Sequence, residues 1–210
     1  MPKSKNVFTV AHRVSEHDRV NANRHRGGIL WFTGLSGAGK STLAIELEKA
    51  LFARRYQVYT LDGDNVRQGL NTDLGFSHED RTENIRRIGE VAALFAEAGF
   101  VVVTAFISPY RADRARIRAA HPKYFNQIFI SASLEVCEAR DSKGLYRRTR
   151  AGDLKDFTGV SAPYEPSPPS SRSRAAKNRS KPASPTCSPS SSGAFRSSKG
   201  TDPGSSRFCF

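Results

Sequence analysis

The sequence predicts an α/β protein, with a parallel β-sheet carrying helices on both faces. Three observations lead there. Short apolar stretches alternate with helical patterns four times between residues 29 and 140, the mark of strand–crossover–strand units rather than hairpins. One stretch, Phe100–Ile107 (FVVVTAFI), is β-branched and apolar throughout, as a central strand covered on both faces must be. A glycine-rich turn sits between the first strand and the first long helix.

Taken in order, residues 1–26 are polar, rich in His and Arg, and predict an arm lying on the surface. Ile29–Thr33 (ILWFT) predicts the first strand. Ser41–Arg54 follows with Leu43, Leu47, Ala50 and Leu51 at helical spacing. Val58–Leu61 predicts a second strand, ending abruptly in Asp62-Gly63-Asp64. Ser77 with Asp80 reads as a capping box for a helix to Ala98, with Ile85, Ile88, Val91, Ala92 and Phe95 on its apolar face. Gly99 stops it before the strand Phe100–Ile107. A basic helix Arg111–Ala120, a strand Gln127–Ser131 and a short helix Leu134–Arg140 complete the alternation.

Composition breaks near residue 166. The 45 residues from Pro166 to Phe210 hold 14 Ser and 7 Pro and no Leu, Ile, Val or Met, so they lack the apolar surface that would offset the entropy of ordering. This predicts a domain over residues 27–165 and a Ser/Pro/Arg-rich, disordered tail over 166–210. Of the net charge of +13, +7 belongs to that tail, which weakens any argument for a nucleic-acid-binding domain and leaves a mildly basic globule suited to anionic ligands. No stretch approaches the roughly 20 apolar residues of a membrane span, and the N-terminus lacks the apolar core of a signal peptide. The expectation is a cytoplasmic protein without membrane or nucleic-acid partners. The three cysteines, Cys137, Cys187 and Cys209, form no CxxC or Cys/His cluster, so neither zinc nor a disulfide framework is expected.

Gly34-Leu35-Ser36-Gly37-Ala38-Gly39-Lys40-Ser41 satisfies GxxxxGK[ST] and lies between a buried strand and a helix. Glycines let the backbone wrap a polyphosphate with its N–H groups inward, and the helix N-terminus adds its dipole. Lys40 would neutralise the terminal phosphates and the Ser41 hydroxyl would ligate Mg²⁺. A nucleoside triphosphate is therefore expected. The acids indicate what kind of protein uses it. The apolar strand ends in Phe106-Ile107-Ser108-Pro109 without a carboxylate, whereas the second ends in Asp62 and Asp64. That pair suits metal orientation, or acceptance of a proton from an attacking hydroxyl. No NKxD guanine-reading motif is present.

A second anionic ligand is suggested by Arg67, Arg81, Arg86 and Arg87, with Asn65 and Asn84, around the start of the following helix. Arg86 and Arg87 are adjacent and cannot both face one pocket, so at least one is a solvated helix charge. Phe76, in a loop between Gly75 and Ser77, has no apolar period to explain it. It is a loop anchor or a flat platform for a base.

The stretches GLSGAGKST, LDGDNVRQGLNTDLGFSHEDRTENIRR, FISPYRADR and CEARDSKGLYRRTRAGDLKDFTGVSAPYE closely resemble the adenylylsulfate kinases, from about residue 10 to Glu165. The resemblance implies a P-loop kinase fold that phosphorylates adenosine 5′-phosphosulfate on its 3′-hydroxyl, with ATP and Mg²⁺ as donor and a homodimeric assembly. It raises ATP sulfurylase as a candidate partner. It further implies that Gly34 to Thr42 hold ATP, and that Lys40 and Asp64 are catalytic, with Asp64 the general base and a metal ligand with Ser41. Asp62, Arg67, Arg81, Asn84, Ile107, Ser108 and Lys143 would bind the substrate, with Phe76 and Phe157 sandwiching its adenine. Ser108 matches the serine that the family labels a phosphoenzyme intermediate. No base adjoins it in the sequence, which favours a binding role. Lys143, Arg147, Arg148 and Arg150 resemble a basic lid, over residues 141–164.

After Glu165 the resemblance stops where the family continues into a final strand and helix. The abrupt Ser/Pro/Arg-rich text reads as a frame change or rearranged reading frame, with a genuine disordered tail as the alternative, and predicts a fold lacking that last strand and helix. Two other functional readings compete with the enzyme. One is a non-catalytic or unstable ATP-binding remnant of such a kinase. The other is a basic nucleic-acid binder, suggested by the tail alone and without any recognition motif.

Overall fold

The computed structural model describes residues 6, 8 and 10–166; expectations for the tail beyond Pro166, including the missing strand and helix, lie outside the described residues. Four strands form one parallel sheet in the order β2-β3-β1-β4. They are β1 (Gly28–Thr33), β2 (Val58–Asp62), β3 (Val101–Ala105) and β4 (Phe125–Phe129). Seven helices accompany them among these residues: α1 (Glu16–Asn23), α2 (Lys40–Ala53), α3 (Gly63–Arg67), α4 (His78–Glu97), α5 (Arg111–Ala120), α6 (Leu134–Arg140) and α7 (Leu145–Arg150). None of them is long and apolar enough to cross a membrane.

The two-residue period of the central strands builds two cores. Ile29 and Trp31 of β1 and Val102 of β3 pack with Ile85, Ile88 and Ala92 of α4 and Ile117 of α5. Their neighbours Phe32, Val103 and Ala105 pack on the other face around Ala44 of α2. Each of the Ile, Val and Phe side chains among them, taken fully out of water, contributes roughly 1.5–3 kcal/mol, so β1 and β3 anchor the sheet. Gly89 allows the close approach of α5 to α4, since a Cβ there would lie 2.8 Å from Cγ1 of Ile117.

The sheet and the helices α2, α4, α5 and α6 fall where the sequence predicts them. Three differences have local causes. β4 begins two residues early, because Phe125 is buried against Trp31, with ring centroids 5.7 Å apart, and pairs with Ile29; polar Asn126 obscures that start in the sequence. β3 is shorter than the apolar stretch, spanning five residues. Residues 1–26 contain the helix α1, closed by a full capping box between Ser15 and Asp18. Ser77 does cap α4 by accepting from Asp80 N–H, at 3.1 Å.

Candidate active site

The carboxyl ends of β1, β2 and β3 and the loops that follow them converge. After β1 the chain enters the glycine loop, where Gly37 has φ = 74° and a Cβ would sit 2.9 Å from the Cys137 carbonyl oxygen. A side chain there would be both strained and blocked. Lys40 opens α2 and is 7% exposed. Its Nζ donates to the carbonyls of Gly34 at 3.0 Å and Leu35 at 2.7 Å. Burial pushes the Lys40 ammonium down from its ordinary 10.5 to about 8, against the smaller opposing pull of Asp62.

The acidic pair meets this loop from β2, although β3 separates β2 from β1 in the sheet. The Ser41 hydroxyl donates to Asp62 Oδ2 at 2.6 Å. Asp62 Oδ1 accepts from Asp64 N–H at 3.0 Å, which caps α3. Asp64 instead faces Lys143, with which it forms an ion pair. Of the two acids it is therefore Asp62 that touches Ser41. A hydroxyl and a carboxylate in contact offer hard oxygen donors, the set that Mg²⁺ accepts beside phosphate oxygens and water.

On the far side, Arg67 donates to the carbonyls of Leu74 at 2.9 Å and Gly75 at 3.0 Å. Its guanidinium lies 4.3 Å from the centre of the Phe76 ring, which is 65% exposed. Arg81 joins two segments far apart in sequence. Its Nε donates to Phe76 O at 2.8 Å, one Nη to Thr158 Oγ1 at 2.6 Å and the other to the Asp156 carbonyl. Phe157 between those partners is buried edge-to-face on Tyr146, centroids 4.9 Å apart. Asn84 is buried and accepts from Asn71 Nδ2 at 2.9 Å. Arg86 and Arg87 both bond Glu83, and Arg87 also grips Asp73 at 2.7 Å. Those bonds lower Glu83 to about 2. They make the two arginines a surface network, while the Asn65 carbonyl accepts from the Gln68 N–H at 3.1 Å at the end of α3.

Ser108 is 2% exposed. Its hydroxyl donates to Thr33 Oγ1 at 2.9 Å and accepts from Trp31 Nε1 at 3.1 Å. Thr33 in turn donates to the Ile107 carbonyl at 2.7 Å. Both bonding directions of the serine are thus used by neutral groups. The end of α6 and the basic segment after it close on the glycine loop through residues that the sequence did not single out. Tyr146 Oη donates to Ser36 O at 2.9 Å, and Arg140 to Gly37 O at 3.2 Å. Arg150 pairs with Glu138 of α6. Asp141 holds the N–H groups of Tyr146 and Arg147 at 3.1 and 3.0 Å, and so starts α7. Helical spacing in six residues is too short to signal such a helix, so Tyr146 had no sequence mark beyond its place in the lid.

A parallel sheet, a glycine loop ending in Lys-Ser at a helix N-terminus, and a carboxylate on that serine define the class of P-loop kinases. The family profile described as Adenylylsulphate kinase matches residues 26–172, and the chain belongs to that family. The adenylyl-sulfate kinase of Acaryochloris marina is 58% identical over 165 residues, covering 78% of this chain and 80% of the relative. That of Oceanobacillus iheyensis is 54% identical over 166 residues, covering 79% and 83%. The solved Mycobacterium tuberculosis APS kinase CysC in complex with AMPPNP and APS is 46% identical, with a TM-score of 0.66 over 68% of this chain and 84% of that one.

Proposed function

We propose that the chain transfers the γ-phosphate of ATP to the 3′-hydroxyl of adenosine 5′-phosphosulfate, giving 3′-phosphoadenylyl sulfate and ADP in sulfate activation. The observation that carries the reading is the 2.6 Å contact of Ser41 with Asp62 beside the buried Lys40, within a chain of this family. Relatives above half identity across the kinase part favour a working enzyme over a non-catalytic remnant.

In this reading, the N–H groups of Gly34 to Thr42 cradle the donor phosphates. Lys40 exchanges the Gly34 and Leu35 carbonyls for the terminal phosphates, where its charge offsets the charge of the transferring group. Ser41 and the acidic pair Asp62 and Asp64 would hold Mg²⁺, which would neutralise the phosphate oxygens. Asp64 accepts the proton of the 3′-hydroxyl, and its ion pair with Lys143 keeps the carboxylate oriented while bringing the lid over the site. Arg67, Arg81, Asn84, Ile107 and Ser108 bind the acceptor, and Phe76 and Phe157 flank its base. The bond from Arg81 to residues on both sides of Phe157 supports that pairing. For Ser108 we propose binding rather than covalent phosphate transfer, since direct in-line transfer requires no enzyme nucleophile.

A kinase domain at 27–165 with its lid at 141–164 and an N-terminal arm at 1–26 belong to the same reading. So do a cytoplasmic location, a second copy of the chain and ATP sulfurylase as partners. The test is ADP release from ATP and Mg²⁺ with adenosine 5′-phosphosulfate, AMP serving as control acceptor. A 3′-phosphorylated product only with the phosphosulfate is expected. No product, or equal rates with AMP, would overturn the assignment.

A further inference from the structure

The loop after β3 adopts a backbone that its own sequence resists. Ser108 has φ = 40°, in the left-handed region that L-residues with a Cβ avoid, and Pro109 follows it, which pushes a preceding residue toward extended conformations. Such a residue persists only where its surroundings over-determine it.

The surroundings here centre on Arg114 of α5, which is 1% exposed. One Nη donates to the Ser108 carbonyl and the other to the Glu165 carbonyl, while the guanidinium carbon lies 5.7 Å from the centre of the Tyr164 ring. The two segments so joined are stitched again beside it. Glu165 N–H donates to Pro109 O at 3.0 Å, and Tyr164 Oη reaches Thr33 Oγ1 at 3.0 Å. Thr33 is also the acceptor of the Ser108 hydroxyl. The planar fork of an arginine can satisfy two carbonyls on different segments at once, whereas a lysine presents a single point charge.

We propose that Arg114 is a positioning residue for the acceptor. It fixes the Ser108 carbonyl, and with it residues 107–109, from beneath the loop, and it ties that loop to residues 164–165 without touching either substrate. The inference rests on the assignment of the acceptor to this loop made above. Losing the fork leaves two carbonyls without their charged donor and frees Ser108 to return to negative φ. Acceptor affinity should then fall while the glycine loop, held by Lys40 and α2, keeps its hold on ATP.

The experiment is steady-state kinetics of the full chain and of Arg114→Lys and Arg114→Met, each checked for folding by circular dichroism and assayed well below its own melting temperature. We expect KM for adenosine 5′-phosphosulfate to rise about tenfold in Arg114→Lys and about a hundredfold in Arg114→Met, with KM for ATP within about twofold of wild type. Should Arg114→Met fail to fold, Arg114→Lys decides alone. Parallel increases in both KM values, an unchanged acceptor KM in folded Arg114→Lys, or loss of fold in both variants would overturn the proposal in favour of a purely structural role. If the wild-type chain makes no product, both this inference and the proposed reaction fail. Wild-type turnover with unselective variants ends only the role of Arg114.

Discussion

Lys40 illustrates how a functional residue is held against its own preference. Burial lowers it from 10.5 to about 8, and a depression of that size corresponds to roughly 3 kcal/mol of penalty on the charged form. The lowered value belongs to a base, so below about pH 8 both folded and unfolded chains carry the proton and the whole penalty is present. Between about pH 8 and 10.5 the unfolded state binds more protons, and stability gains as pH rises. Lys40→Met should therefore melt above wild type at pH 7, by an amount that shrinks toward pH 10, while losing at least about a hundredfold in transfer rate. Thermal melts at the two pH values, with ADP assays, check both halves. Asp64→Asn keeps shape but cannot accept a proton, and should cost about 10²–10⁴ in kcat with ATP affinity, read by calorimetry, nearly intact. Lost ATP affinity with normal residual chemistry would strip Asp64 of the role of base and leave it a metal or structural group only. Ser108→Ala leaves Trp31 Nε1 without its acceptor and should destabilise by about 1–3 kcal/mol, yet retain part of the activity. Incubation of wild type with γ-labelled ATP should leave no stable label; a labelled wild type and an inert alanine variant would establish a covalent route.

The elements divide the labour between holding and closing. α2 packs on the sheet through Ala44 and Leu47, and β1 is buried within it on both faces, which anchors the two ends of the glycine loop. The side proposed for the acceptor depends on the start of α4, where Ser77 caps the helix and its predecessor Phe76 sits under Arg67. Ser77→Ala should cost about 1 kcal/mol of stability, seen as a lower melting temperature. It should also raise KM for the acceptor more than KM for ATP, because the first turn of α4 carries Arg81. Equal effects on the two substrates would separate the cap from the site. The lid is built differently. α7 has six residues, too few for stability of its own, and owes its place to Asp141 at its start, Tyr146 on the Ser36 carbonyl and Phe157 packed against that tyrosine.

For the whole molecule, the described residues end around Glu165 and Pro166, held by Arg111 and Arg114, next to the point where composition turns to Ser and Pro. A chain cut after Pro166 should melt within a few degrees of full length and keep its kinetic constants, since the removed segment has no Leu, Ile, Val or Met to bury. A clearly less stable or slower truncation would make the tail a working replacement for a missing element. Much of this protein could be read before its structure. Continuous apolar strands, helical spacing, the glycine loop with Lys40 and Ser41, and the acids Asp62 and Asp64 are local patterns, and local sterics and periodicity write them directly into the chain. The short helices α3 and α7 were hidden, because one or two turns leave no periodicity. Tertiary structure alone decided that Ser41 meets Asp62 rather than Asp64, that Arg87 serves Asp73 and Glu83, and that Arg114 grips Ser108 and Glu165. Each of those is a bond between residues from 4 to 51 positions apart. Which donor meets which acceptor is set by packing of the sheet and helices, a property of the folded whole that no window of residues contains.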